Sequence, residues 1–200
     1  MKGTREHILN VAFNLFLQKS FKEVTMKDIV EKSGMSKGAF YHYFTSKEQL
    51  FLELVNNVFS SVLDIPFEQF SKESLYHFYI DYVNYYVKNV RKQNQEQDGD
   101  IPGFNYISLI FDAIKLFPDF QQKLLLSKQI QQKAWVDIIK QARDKGEIIS
   151  PMSDEQIANM FMSSSGGVEI YSVYEGSSNE MGMKLMNLWD GFYSGLKSEH

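Results

Sequence analysis

The sequence contains no cysteine, and only four prolines and two tryptophans in 200 residues. Without thiols there is neither a disulfide framework nor a thiolate metal site, which fits a reducing compartment. The four histidines, His7, His42, His77 and His200, show no metal-ligand spacing with carboxylates, and no HExxH occurs. A glycine-rich phosphate loop and a G-x-S-x-G elbow are also missing. No metal, no cofactor and no catalytic role is therefore expected. No run of about 18 apolar residues exists, so no membrane span is expected. The start, Met1-Lys2-Gly3-Thr4-Arg5-Glu6, leads into an amphipathic pattern with an early acid, unlike a signal peptide. These absences together predict a cytoplasmic protein.

What is present supports a packed core: 44% of the residues are hydrophobic and 14% aromatic. The length suits one sizeable domain or two small ones. The net charge is −4, but residues 1–47 hold eight bases against four acids, a local +4 that leaves −8 for the remainder. A basic head on an acidic body is the asymmetry expected when one end meets phosphate.

The densest local signals lie between Thr25 and Leu50. Thr25 with Asp28 has the form of a capping box, and Met26, Ile29 and Val30 give the helix after it one apolar face. Gly34 suits a left-handed helix end, and Ser36 can cap the next helix. That second helix, read as Lys37 to Phe44, turns Phe40, Tyr43 and Phe44 inward. Lys37, Gly38, Ala39, Tyr41 and His42 are left outside. Ser46 with Gln49 opens a third helix. Helix, glycine-bearing turn, helix is the helix-turn-helix pattern, whose second helix enters the DNA major groove.

This stretch resembles the DNA-binding region of the TetR family of bacterial transcriptional regulators. The resemblance begins at Thr4-Arg5-Glu6-His7-Ile8-Leu9. It continues through Ala12, Phe16, Phe21, Thr25, Ile29, Gly34, Ser36, Gly38, Tyr41, Tyr43, Phe44, Lys47 and Leu50. Its most specific part is the unbroken run from Ser36 to Lys47; beyond about Val62 only architecture is shared.

Along the rest of the chain, a first helix over about Thr4 to Lys19 carries Ile8, Leu9, Ala12, Phe13, Leu15 and Phe16 at roughly 3.6-residue spacing. Phe21 is expected to join Phe16, Ile29, Phe40 and Phe44 in a small core. Ser46 to about Leu63 reads as one helix, ended by Asp64-Ile65-Pro66. Further helices are expected over Phe67–Lys92, Phe104–Phe117, Pro118–Lys145, Ser153–Glu175 and from Asn179 to the end. Gln93–Gly103 and Gly176-Ser177-Ser178 read as a loop and a turn. The fold class is all-α, about nine helices. Residues 1–47 would form the helix-turn-helix DNA-binding domain, and 48–200 a helical effector-binding and dimerisation domain.

The candidate DNA-binding set is Thr25, Lys27, Ser36, Lys37, Gly38, Ala39, Tyr41, His42 and Lys47. Lys37 can reach guanine or a phosphate, Ala39 a thymine methyl, and His42 a base or a phosphate; Gly38 lets the backbone approach closely. The resemblance implies that Tyr41 and Lys47 clamp phosphates, with Thr25 and Lys27 doing the same from the preceding helix. It also implies a homodimer built on the last two helices and a small-molecule effector of unknown identity. The run Ser163-Ser164-Ser165-Gly166-Gly167 suits either a close helix interface or a kink. Candidate effector contacts are Tyr82, Tyr86, Phe104, Phe111, Trp135, Phe161, Glu169 and Tyr171; Glu169 and Asp112 would either orient a ligand or face solvent. The expected function is a repressor that binds double-stranded operator DNA as a homodimer and is released by a small apolar or aromatic effector. The alternative is a helical small-molecule-binding or enzymatic domain whose helix-turn-helix contacts protein.

Overall fold

The computed structural model describes residues 2–95, 104–175, 177 and 180–197, with backbone alone at 2, 61, 62, 90–95, 104–106, 173 and 174. Among these residues the fold is all-α, as expected, with one isolated bridge between Ile148 and Lys197. The helices are α1 (Lys2–Gln18), α2 (Met26–Ser33), α3 (Lys37–Tyr41), α4 (Lys47–Val58), α5 (Ser60–Leu63), α6 (Leu75–Gln95), α7 (Phe104–Leu116), α8 (Pro118–Asp144), α9 (Asp154–Tyr174) and α10 (Met181–Leu196).

Two compact units divide the chain: Met1–Leu63 with Ile101–Leu124, and Asp64–Asp100 with Leu125–His200. This division does not fall at the 47/48 boundary drawn from the motif.

In the first unit α1 packs on α2, α4 and α7, and α4 packs on α7. Its core holds Ile8, Ala12, Phe16, Phe21, Ile29, Phe40, Phe44, Leu50, Phe51 and Leu54, with Leu109, Ala113 and Phe120 from α7 and α8. Phe21 stacks on Phe16 at 5.9 Å and meets the edge of Phe51 at 4.8 Å. The segment read as one helix over Ser46–Leu63 breaks at Phe59, which leaves helical geometry with φ −95° and ψ 8° and buries its ring beside Phe120.

The second unit packs α10 on α6 and α9. Its core is aromatic: Trp135 stacks on Phe161 at 4.7 Å, and Trp189 meets the edges of both. The expected helix start at Phe67 is corrected. Only Phe67–Gln69 forms a 3-10 turn, Phe70 is extended, and α6 begins at Leu75. Burying both Phe67 and Phe70 in the core draws this stretch out of helical geometry. Ser74 accepts from the His77 amide at 3.1 Å, and Glu147 accepts from the Leu75 amide at 3.1 Å, so a distant carboxylate serves the new helix start.

Other ends follow local chemistry. Pro118 occupies the first position of α8, and Gly146 closes that helix with φ 72°. Ser153 and Gln156 exchange backbone-to-side-chain bonds at α9. Gln93–Gln95 continue α6. The rest of the expected 93–103 loop, and the Gly176, Ser178 and Asn179 positions of the last turn, lie outside the described residues.

Candidate nucleic-acid interface

Thr25 and Asp28 form the reciprocal box at α2: the Thr25 amide donates to Asp28 Oδ2 at 2.8 Å, and the Asp28 amide to Thr25 Oγ1 at 3.2 Å. The hydrogen bonds from the Thr25 side chain and backbone hold the Asp28 carboxyl below its usual pKa. Gly34 ends the helix in the left-handed region (φ 66°, ψ 11°), and its amide donates to the Glu31 carbonyl at 3.2 Å. Ser36 then caps α3, accepting from the Ala39 amide at 3.4 Å.

α3 is shorter than its pattern suggests. It ends at Tyr41, and residues 42–43 turn away. Phe40 and Phe44 are fully buried and anchor the segment, while Tyr43 is half-buried. Ser36, Lys37, Gly38, Ala39, Tyr41 and His42 are exposed, as are Thr25 and Lys27 on the preceding helix. An added Cβ at Gly38 would meet nothing within 4 Å, so no packing inside the chain demands that glycine.

Lys47 differs from the other candidates. Its Nζ donates to the Phe21 carbonyl at 2.7 Å and the Val24 carbonyl at 2.8 Å, and lies 4.2 Å from the Phe21 ring centre. An ammonium has three donors, so these two carbonyls do not use all of them. Sequence reasoning also passed over Arg5 as a site-building residue. Its guanidinium pairs with Glu53, donates to the Tyr43 carbonyl at 3.2 Å and lies over the Phe44 ring at 4.4 Å, holding the turn after α3. No local signal marks it, because every partner is distant in sequence.

Of the candidate effector residues, Tyr82, Trp135 and Phe161 belong to the packed aromatic core of the second unit. Tyr86 is half-buried, and its hydroxyl donates to Met181 Sδ at 2.9 Å. Desolvation of the carboxyl group raises the Glu169 pKa against a Tyr86 hydrogen bond that lowers it, while the residue as a whole is exposed in the protomer. Phe111 and Tyr171 are 56% and 66% exposed in the protomer. Phe111 belongs to the first unit, and Tyr82, Tyr86, Trp135, Phe161, Glu169 and Tyr171 to the second. The side chain of Phe104 lies outside the described residues. Asp112 binds the Phe21 amide. Trp135 Nε1 and Ser172 Oγ are buried without a hydrogen-bond partner among the described residues.

Along α9 and α10 runs an apolar groove of about 390 Å³, lined by Met160, Ser164, Leu188, Gly191 and Phe192 among others. The helix α9 continues through Gly166 and Gly167, and an added Cβ at either would meet nothing within 4 Å.

Residues 8–54 match the model of the bacterial regulatory proteins of the tetR family. Over 61 residues the chain is 43% identical to the uncharacterised HTH-type transcriptional regulator YfiR of Bacillus subtilis, covering 27% of this chain and 30% of that one. Over 52 residues it is 42% identical to the HTH-type transcriptional regulator QacR of Staphylococcus aureus, covering 26% and 28%. The chain thus spans under a third of the length of these curated relatives. Whole-chain similarity is one of fold. A solved TetR/AcrR family member superposes with TM-score 0.64 at 21% identity, covering 96% of this chain and 100% of that one. Reduced NemR of E. coli gives 0.58 at 19%, covering 92% and 95%. Residues 8–54 thus match the DNA-binding region of the bacterial regulatory proteins of the tetR family, and the helical body shares its fold with solved TetR/AcrR family members.

Proposed function

We propose that the chain is a repressor that binds a palindromic operator as a homodimer and leaves it when a small apolar or aromatic effector binds. The observation that carries the DNA-binding part is the exposed surface of α3 and the residue that follows it. Lys37, Gly38, Ala39, Tyr41 and His42 face outward while Phe40 is fully buried beneath them. On this reading Lys37 and His42 donate to base edges or phosphates, Ala39 meets a thymine methyl, and Ser36 and Gly38 let the helix approach closely. Thr25, Lys27, Tyr41 and the remaining donor of Lys47 hold phosphates and set the register.

A single short helix reads too few base pairs to find one site, so two copies about one DNA turn apart are needed. The α9–α10 face supplies the interface in this proposal. Its exposed Met160, Ile170 and Leu188, with the open sides of Gly166, Gly167, Gly191 and Gly195, suit close approach of a second copy. The effector is taken up within the second unit, with Tyr82, Tyr86 and Glu169 as its polar contacts and Trp135 and Phe161 as apolar walls. It favours an arrangement in which α7 is displaced, α4 follows and the paired α3 helices lose their spacing. Such coupling is typically about 1–3 kcal/mol. Residues 1–47 are the DNA-reading part of this scheme and 48–200 the effector and dimer part.

Selection of bound duplexes from a random DNA pool tests the reading. It expects an inverted repeat with half-sites about one turn apart. Recovery of no preferred sequence, or of a single unrepeated half-site, would overturn it.

A further inference from the structure

The connector between α1 and α2 is gripped at one residue from two sides. The Phe21 amide donates to Asp112 Oδ2 on α7 at 3.1 Å. The Phe21 carbonyl accepts from Lys47 Nζ on α4 at 2.7 Å. The ring between these two backbone groups is 7% exposed and sits against Phe16 and Phe51. Three residues later Val24, fully buried, gives its carbonyl to the same ammonium, and Thr25 follows as the N-cap of α2. The start of the helix-turn-helix is therefore referenced to α7 through one carboxylate and to α4 through one ammonium. Asp112 lies 91 residues from Phe21, so no local constraint holds the two together.

We propose that Asp112 is a positioning residue for DNA recognition: it touches no DNA, and its carboxylate fixes the connector from which α2 and α3 are aimed. The assignment rests on the DNA-binding reading above. A hydrogen bond from an amide to an ionised carboxylate is among the stronger kinds, and losing it leaves a part-buried amide without its acceptor. Such a bond also weakens steeply with distance, so a shift of α7 by about an ångström breaks it. The aim of α3 thereby depends on where α7 sits.

The test uses the full chain and a duplex recovered by random-pool selection with the wild type. Asp112→Asn keeps an acceptor oxygen at the same reach without the charge. Asp112→Glu keeps the charge and moves the oxygens by a methylene, and Asp112→Ala removes both. The alanine variant should bind the duplex about tenfold more weakly at a temperature where it is fully folded. The asparagine variant should stay within about twofold of wild type, and the glutamate variant should fall between. The slope of log affinity against log salt should not change in any of them, because no phosphate contact is lost. Amide exchange at Phe21 should accelerate in the order of the affinity losses. A purely structural role would lower the melting temperature and leave the affinity of the folded protein alone, which overturns the proposal. So would an asparagine variant as weak as the most damaged one. Should Asp112→Ala not fold, the comparison of asparagine with glutamate decides: glutamate binding as tightly as wild type overturns the assignment. A wild type that recovers no duplex overturns the DNA-binding reading itself.

Discussion

Arg5 and Glu53, 48 residues apart, form a two-pronged ion pair: Nε donates to Oε1 at 2.7 Å and Nη2 to Oε2. The pair joins the first turn of α1 to α4, and the same guanidinium covers Phe44 and holds the Tyr43 carbonyl. Hydrogen bonding and attraction from Glu53 raise the Arg5 pKa.

Both side chains are about a third exposed, at 39% and 30%, so solvent screens part of this attraction. Glu53→Gln should lower stability by about 1 kcal/mol, a fall of about 2–4 °C in melting temperature. The loss should shrink as salt is raised, and a salt-independent loss would contradict the ionic account.

Lys37 and Lys47 should separate cleanly. Lys37 is exposed at the start of α3. Lys37→Ala should change stability by less than about 0.5 kcal/mol while weakening operator binding, with a salt slope lower by about 1 if it meets a phosphate. Lys47 holds two carbonyls, so Lys47→Ala should lose about 1–2 kcal/mol of stability as well as affinity. Chemical denaturation and binding titrations over a salt series measure both.

Leu188 lies 47% exposed on the α9–α10 groove. Leu188→Arg places a charge in the proposed interface and should shift sedimentation velocity from dimer to monomer at micromolar concentration. Because the side chain is already half in solvent, the protomer's helix content should be unaltered. A dimer that survives this change would place the interface elsewhere.

The Glu169 carboxyl has its pKa raised, chiefly by desolvation of the carboxyl group, although the residue as a whole is exposed. A raised folded-state value means that the group favours the folded state most below its unfolded pKa, and that this contribution is lost as pH rises through the folded pKa. Glu169→Gln should therefore flatten stability against pH from the ordinary carboxylate range upward and leave the variant the more stable at neutral pH. Parallel melting curves from pH 4 to pH 8 check the sign. An unchanged pH profile would show that Glu169 titrates alike in both states.

Much of the helix-turn-helix was legible in the residues because its signals are short-range. Thr25 caps with Asp28, Gly34 takes φ 66° and Ser46 accepts from the Gln49 amide, each within a few positions. The exposure of Lys37 to His42 follows from the buried Phe40 and Phe44 around them. The start of α6 was not legible, since its amides find Glu147 at a separation of 72 residues. The same holds for Lys47, whose residue type is right for a phosphate and whose nearest acceptors are carbonyls 23 and 26 positions back. The exposure of Phe111 and Tyr171 was not legible either, because aromatic spacing records that a helix has an apolar face and says nothing of what faces it.

The amino-acid order by itself determined the caps, the breaks and the apolar stripes, and through them an all-α chain with a DNA-reading motif near its start. Those features rest on bonds between residues a turn or two apart, which the chain makes wherever it folds. Only the tertiary structure decided that Asp112 grips Phe21, that Arg5 clasps Glu53 and that Trp135 is sealed among rings. These pairings depend on which helix faces brought together exclude the most water, a choice made by the whole set of faces at once.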